Sequence, residues 1–503
     1  MAIAPFFNKT LLAASHILKG VDPDGVKALL EGKCVAIAFD DDAISTPGGR
    51  WIAELSVNLA ARLYPALTIA PYGEQATTFG TELRALAVGI NPVIDFRPFE
   101  EASALLSIGQ RHWPDVKVPI VYAGAHGWLA LVSHCSPRAL ASDDNPFGAG
   151  AAACLAAAQI FRTLFGEYFP SPVQEEVSLS LLDYQVNGGV PPSVGTECVC
   201  DSVVLCGAGA IGNAALWALL RSQATGALTV VDPEPVDESN LQRYILTDTH
   251  SVGMRKVEIA QERSAGSSLS VVPVLGTWGS FVTGMHPLRV ALVATALDTA
   301  GARIEVQASL PNEIVNAWTQ SGDLGVSRHT FLDDQACLAC LYLSDRVRKN
   351  EDQIVAEALG FDASPNSAAL MAVRTALYSN SSVDENWIVQ IASSLNVERG
   401  MLEPFMGKPL RDLYQEGICG GRILATKTGA VEVPMAFQSA MAGIMLAAEI
   451  VKNRRGISSD WVTTKLNLLR PIGSFLSERQ EKSRFGNCIC QDEDFIAAYK
   501  TKL

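Results

Sequence analysis

The sequence has no stretch of about 18 uncharged apolar residues, the length a bilayer-crossing helix needs, so no membrane span is expected. Its most apolar run, Phe147 to Phe165, is dominated by Ala and Gly and reads as a buried helix. The N-terminus carries no basic stretch ahead of an apolar one, so no secretion signal is expected. Positive charge is in short supply: 39 Lys and Arg against 53 Asp and Glu leave a net charge of −14. That balance excludes the basic footprint of general nucleic-acid binding and suits a partner that is neutral or basic where it docks. The 11 cysteines are an odd number, and several sit in apolar runs such as Ala151–Ala158. Such usage fits a reducing cytoplasm rather than a disulfide framework. The 7 histidines show neither metal nor triad spacing, and His286 and His329 read as incidental.

What is present is a large apolar fraction, 48% against 18% charged residues, in a chain of 503. That length suggests roughly two to four domains. β-Branched runs alternate with alanine-rich helical stretches, the pattern of a parallel sheet wrapped by helices, and they do so twice. In the second half a strand (Ser202–Leu205), a glycine loop, a helix (Asn213–Arg221) and a strand (Ala227–Val231) follow one another. In the first half the order is strand Cys34–Phe39, loop Asp40–Gly49, helix Trp51–Leu63 and strand Ala66–Ala70. Phe147–Arg162 also aligns without gaps on Phe437–Lys452, sharing Phe, three alanines and Ile. The predicted fold is therefore α/β, with two Rossmann-like domains. The halves differ where nucleotide chemistry would occur. Gly207, Gly209 and Gly212 form a G-x-G-x-x-G turn in the second half, whereas Asp40, Asp41 and Asp42 stand in the first and would repel phosphate. The first half is expected to have lost nucleotide binding.

The glycine turn follows a strand, opens a helix and precedes an acid, Asp232, at the end of the next strand, which predicts a nucleotide site. Asn240-Leu-Gln-Arg243, Arg255-Lys256, and Asp298 after a strand at Arg289–Ala294 come next. In this order and spacing the sequence resembles the ThiF/MoeB/ubiquitin-activating superfamily. The resemblance implies that Asp232 holds ribose hydroxyls, that Asn240, Arg243 and Lys256 contact ATP phosphates, and that Asp298 holds Mg²⁺. Arg303 also falls where the family often has Arg. Two features depart from the pattern: Thr299 follows Asp298 where Asn is usual, and the nearest counterpart of the family's cross-protomer arginine motif, Leu181–Asn187, lacks both arginines. Adenylation brings a carboxylate to a phosphate, so Arg243, Lys256 and Mg²⁺ suit it as neutralising charges, and hydride transfer has no need of them.

Cys337-Leu-Ala-Cys340 and Cys488-Ile-Cys490 lie where the resemblance implies a structural zinc site, with four reduced core cysteines as the alternative. Cys419, flanked by glycines and followed by the helix from Pro434, sits where the family carries its acyl-accepting cysteine. It ends a helical insertion, 341–419, with helices expected at Gln353–Leu359, Ser367–Leu377 and Trp387–Leu395. The expected organisation is an inactive adenylation-like domain (1–190), an active one (195–340 with 420–503) and that cysteine-bearing insertion, an internal pseudo-dimer in which further homodimerisation stays open.

The layout is most similar to enzymes that activate ubiquitin-like proteins, including those of bacterial Bil-type antiphage conjugation operons. It implies a cytoplasmic enzyme using ATP and Mg²⁺, a β-grasp ubiquitin-like partner, a thioester on Cys419 and transfer to a ubiquitin-conjugating-type enzyme, with no nucleic acid or membrane partner. The alternatives are a sulfur-carrier-protein adenylyltransferase without a thioester relay and a Rossmann NAD-dependent oxidoreductase.

Overall fold

A computed structural model of the chain describes residues 6–18, 21, 23–283, 285, 290–320, 323–343, 350–395, 397–419, 433–473 and 476–502. Two helices, α1 (Phe7–Ile17) and α2 (Pro23–Glu31), precede the first sheet. Its strands are β1 (Cys34–Asp40), β2 (Ala66–Tyr72), β3 (Asp95–Phe96), β4 (Ala104–Ile108), β5 (Ile120–His126), β6 (Leu129–Ser133) and β7 (Glu176–Ser180). They lie in the order β3-β2-β1-β4-β5-β6-β7. β1 to β5 run parallel, and β6 and β7 are antiparallel to their neighbours. β1 is buried along nearly its whole length, which is why Cys34–Phe39 is a continuous apolar run rather than an alternating one. α3 (Asp41–Ile44), α4 (Pro47–Leu63) and α5 (Glu74–Ile90) supply crossovers, and α6 (Pro146–Leu164) follows β6.

The second half opens with β8 (Cys198–Val199), β9 (Val203–Cys206), α7 (Ala210–Arg221), β10 (Ala224–Val231), α8 (Lys256–Arg263) and β11 (Leu269–Val274). It continues through α9 (Trp278–Val282), β12 (Leu292–Thr295), α10 (Ala300–Ala308), β13 (Glu313–Thr319), β14 (Leu324–Thr330) and α11 (Leu338–Tyr342). Arg289, where sequence pattern starts the strand that becomes β12, lies outside the described residues, as does His286. The chain then departs into a separate compact unit, 344–432. That unit contains α12 (Glu351–Ala358), α13 (Ala368–Tyr378), α14 (Glu385–Leu395) and α15 (Leu410–Asp412), packed on a core of its own that includes Val355, Leu370, Ile388, Ile391 and Phe405. The returning chain forms α16 (Ala436–Arg454), β15 (Thr463–Leu466), β16 (Leu476–Glu478) and α17 (Glu493–Lys500).

The second sheet runs β11-β10-β9-β12-β13-β14-β15-β16, with β8 paired to β10. β9 to β13 are parallel and the later strands antiparallel. Up to the extra edge strand this is the order of the first sheet, so the sequence repeat is a repeat of topology. The chain is an α/β protein of two Rossmann-like sheets.

Both halves belong to one compact unit, 1–343 with 433–503, and share a core. α4 packs on α6 and α7 on α16, while α6 and α16 meet between the halves, where the Phe161 and Phe437 rings lie 6.2 Å apart. Small residues permit this approach. A Cβ on Gly443 of α16 would stand 2.3 Å from the Ile211 carbonyl oxygen of α7, closer than any side chain can come. α6 is the one described helix long and apolar enough to cross a membrane, yet 83% of its apolar window is buried inside the protein.

A second tie is ionic. Glu449 of α16, 3% exposed, receives Arg328 through two guanidinium nitrogens, Lys452 at 2.5 Å and the Tyr184 hydroxyl at 2.5 Å. Burial opposes its charge, but the two cations prevail and hold its carboxyl down at about 2. The Leu181–Asn187 stretch is thus engaged here, since Lys452 also donates to the Leu181 and Leu182 carbonyls.

Candidate active site

The glycine turn joins β9 to α7. Gly207 has φ +96, and a Cβ there would lie 2.6 Å from the Ala296 carbonyl oxygen, so both its conformation and the approach of the neighbouring loop require glycine. A Cβ on Gly212 would lie 2.0 Å from the Gly207 carbonyl oxygen. The turn closes with the Gly207 N–H on the Val231 carbonyl at 2.9 Å, and Gly209 is the extended residue from which α7 starts. Backbone N–H groups and a helix N-terminus meet at one spot, the arrangement that receives an anion.

Asp232, just past β10, grips this turn. Its Oδ2 accepts from the Ala208 N–H at 2.8 Å and its Oδ1 from the Glu234 N–H at 2.9 Å. Burial pushes the Asp232 carboxyl up against the pull of Lys256 and those two donors. Lys256, at the first turn of α8, places Nζ 2.6 Å from Glu234 Oε2 and 3.8 Å from Asp232 Oδ1. Burial opposes its charge, yet Tyr244, Asp232 and Glu234 together hold the ammonium above its ordinary range. The Tyr244 ring lies under both cations, 5.5 Å from Lys256 Nζ and 6.0 Å from the Arg243 guanidinium.

Arg243 is half-buried and donates to Gln242 Oε1 at 3.3 Å. Burial lowers its affinity for the proton, while Tyr244 and the negative charge of Asp298 act in the opposite sense. Asp298 lies in the loop after β12 and also supports Arg303 electrostatically. Arg303 steadies that loop by donating to the Leu297 carbonyl, to Asn316 Oδ1 at 3.0 Å and to the Ala317 carbonyl at 3.3 Å. Thr299 caps α10, its hydroxyl accepting from the Ala302 N–H at 3.2 Å, which gives the departure from Asn at that position a structural role. Asn240 turns its Oδ1 to the Asp237 N–H at 3.0 Å, completing a capping box for the turn Glu238–Gln242, so that oxygen serves the fold.

One further cation enters from the first half. Lys9 of α1 is lowered by burial and then by the like charge of Arg243, with Asp237 countering. No sequence motif marks Lys9; only the packing of α1 on the Glu238–Gln242 turn puts it here. At the matching end of the first sheet, helix N-termini are satisfied from within: Thr46 caps α4 through the Gly49 N–H at 3.1 Å, and Asp41 Oδ1 takes the Ala76 N–H of α5 at 2.7 Å.

The four cysteines Cys337, Cys340, Cys488 and Cys490 bring their sulfurs within 4.8 Å of one another. Individual separations are 3.5 Å for Cys337–Cys488, 3.5 Å for Cys340–Cys490 and 3.9 Å for Cys337–Cys340. Four thiolates at about 2.3 Å from a tetrahedral Zn²⁺ stand about 3.8 Å apart, so the donor set fits that ion. Cys198 and Cys200, 4.0 Å apart, gather no third ligating group among the described residues. Buried His329 bonds the Ala336 carbonyl and Ser327 hydroxyl, each at 2.8 Å, and burial lowers it to about 4. Cys419 closes the π-type turn Leu413–Cys419; its side chain and residues 420–432, including the flanking glycines, lie outside the described residues.

The parallel sheet, glycine turn and buried cations define an α/β nucleotide-binding enzyme domain. The chain belongs to the ThiF family, which matches residues 199–490. Residues 38–166 match Prokaryotic E2 family C. Over all of this chain and 97% of the relative, it is 40% identical to a Sinorhizobium fredii (strain NBRC 101917 / NGR234) protein named "Uncharacterized protein y4jF". A shorter stretch of 63 residues, 12% of this chain and 14% of the relative, is 41% identical to the "Adenylyltransferase and sulfurtransferase UBA4" of Vanderwaltozyma polyspora. Among solved structures, the E. coli MccB + MccA-N7isoASN crystal structure is similar at 15% identity and a TM-score of 0.34, over 57% of this chain and 65% of that one. Family and site geometry together support ATP-dependent adenylation of a carboxylate.

Proposed function

We propose that the chain activates the C-terminal carboxylate of a small ubiquitin-like β-grasp protein. The carboxylate oxygen attacks the α-phosphorus of ATP, the bond to the β-phosphate oxygen breaks, and acyl-AMP and pyrophosphate result. What supports the reading is that Lys256 pairs with Asp232, which bonds the glycine turn, while Arg243 feels the charge of Asp298, two residues past the Ala296 carbonyl that faces Gly207. Arg243 and Lys256 neutralise the leaving pyrophosphate, and Lys9 adds positive charge from the first half. Asn240 donates its amide to a phosphate, and Asp232 offers its remaining lone pairs to ribose hydroxyls. Asp298 would hold a Mg²⁺ ion, which would supply further neutralisation of the phosphate charge.

The Cys419 thiolate then attacks the acyl carbon, AMP leaves, and the thioester passes to a conjugating enzyme. The chain serves as its own pseudo-dimer in the cytoplasm, and Cys337, Cys340, Cys488 and Cys490 hold structural zinc. A neighbouring gene set for a β-grasp protein, a conjugating enzyme and a JAB-type protease would place it in a bacterial antiphage pathway.

The test is ATP–pyrophosphate exchange with the genomically neighbouring β-grasp protein, then non-reducing gels with and without DTT. Cys419→Ala should retain exchange and lose the DTT-sensitive adduct; retention of both removes Cys419 from the mechanism. A second reading comes from the Prokaryotic E2 family C match, within which Cys135 is exposed and Cys154 is buried. In that reading Cys135 receives the acyl group within the same chain, and Cys135→Ala abolishes a second adduct while sparing the first.

A further inference from the structure

The segment that carries Arg243 belongs to the second half but is held by the first. α4 presents Arg62 and Asn58 to it. Arg62 is 1% exposed. Its Nη2 donates to the Thr247 carbonyl at 2.7 Å, its Nη1 to the Leu241 carbonyl and its Nε to Asn58 Oδ1 at 2.9 Å. Asn58 Nδ2 in turn donates to the Ile245 carbonyl at 2.8 Å. Three carbonyls spaced along 241–247 are thus bound by two side chains one helical turn apart.

A buried guanidinium is costly unless its charge and all its donors find partners. Among the described residues no carboxylate lies within ion-pair distance of Arg62. The acid that acts on it is Asp248, which is itself occupied with the His250 N–H at 3.0 Å and the Ser251 hydroxyl at 3.1 Å. Burial lowers Arg62 to about 9. Compensation comes from the loop carbonyls, so the charge is retained at a place where an apolar residue would pack without that cost. From the other side, Asn213 of α7, the residue after Gly212, accepts from the Leu246 N–H at 2.6 Å. The segment is therefore fixed between α4 and the helix that the glycine turn opens, with Arg243 inside the fixed span.

We infer that Arg62 and Asn58 are positioning residues that register the 241–247 segment, and with it Arg243, against the glycine turn. This inference rests on the nucleotide reading of that turn. Oriented charge acts on a substrate only when its reorganisation has been removed in advance, and the rigid fork of Arg62 fixes two backbone carbonyls at once. A lysine ammonium has one point from which to reach them.

The experiment is calorimetric titration of the full chain with ATP·Mg²⁺, for wild type, Asn58→Ala, Arg62→Met and Arg62→Lys, with thermal melts alongside. Expected are tenfold or greater losses of ATP affinity in Asn58→Ala and Arg62→Met, and a smaller loss in Arg62→Lys. In exchange assays the KM for ATP should rise more than that for the β-grasp protein whose carboxylate is activated. If Arg62→Met does not fold, Asn58→Ala decides. Wild-type ATP affinity in the folded fraction of the variants, whatever their melting temperature, overturns the inference and leaves the adenylation reading standing. Wild type with no ATP affinity removes both.

Discussion

The Ala208 N–H lies 2.8 Å from Asp232 Oδ2, so the acid just past β10 fastens the glycine turn that starts from β9. Two adjacent parallel strands are locked at the point where a phosphate would arrive. Removing the carboxylate frees the N–H groups of Ala208 and Glu234 and unloads Lys256. Hydrogen bonds to charged groups contribute about 1.5–3 kcal/mol each, so Asp232→Ala should weaken ATP binding by at least tenfold. Titration calorimetry of the purified variant measures this; an unchanged Kd would separate Asp232 from the nucleotide.

Zinc content gives an independent check. The chain purified without chelator should carry a single zinc in the Cys337/Cys340/Cys488/Cys490 cluster, and Cys488→Ser should lose it. Because Cys488 and Cys490 precede α17, that variant should show early proteolysis of the C-terminal segment while the glycine turn still binds ATP. Metal analysis and limited digestion read the two effects.

Close packing between α7 and α16 makes Gly443 intolerant of bulk. Gly443→Leu forces a side chain into the Ile211 carbonyl and Ala214, and overpacking of this kind costs about 1–3 kcal/mol or more. Urea denaturation should report a lower midpoint, whereas a surface control such as Gly253→Ala tests only its own positive φ.

The buried cluster around Glu449 predicts a pH signature. Its folded carboxyl titrates at about 2, below the ordinary value of 4.5, so it contributes stability above pH 4.5 that is lost as pH falls towards 2. A depression of that size corresponds to about 3 kcal/mol. Glu449→Gln should be the less stable protein at pH 7, with the gap to wild type closing between pH 4.5 and 2 in urea midpoints. A constant gap would mean that Glu449 is not the titrating group.

Much of the framework was legible in the chain. The unbroken apolar runs at Cys34–Phe39 and Ser202–Leu205 became β1 and β9, and the paired segments Phe147–Arg162 and Phe437–Lys452 became α6 and α16. They could be read because local patterning decides such elements: a doubly buried strand must be apolar throughout, and helices that approach closely must be small on one face. Of the three aspartates at Asp40–Asp42, Asp40 caps α3 and Asp41 spends its carboxylate on the N-terminus of α5, tasks that the sequence pattern did not reveal.

The site was legible only where its residues are near one another in sequence. Gly207 to Lys256 form a local series, which is why a family resemblance could be seen there in the sequence. Arg62, Asn58 and Lys9 lie in the other half of the chain from Arg243, and each looks like an ordinary helix residue. Asn240 illustrates another limit: its identity suggested a ligand contact, but whether its oxygen faces a substrate or the Asp237 N–H depends on the turn it closes.

Carrying both halves on one polypeptide has a genetic consequence. In a pair of identical subunits every substitution appears twice, so a residue that supports the neighbour's loop must be tolerable at its own. Here Arg62 of the first half serves a loop of the second, and the run of three aspartates stands in the first half alone. Inheritance as a single gene lets the two copies diverge, so that a residue of one can come to support a loop of the other.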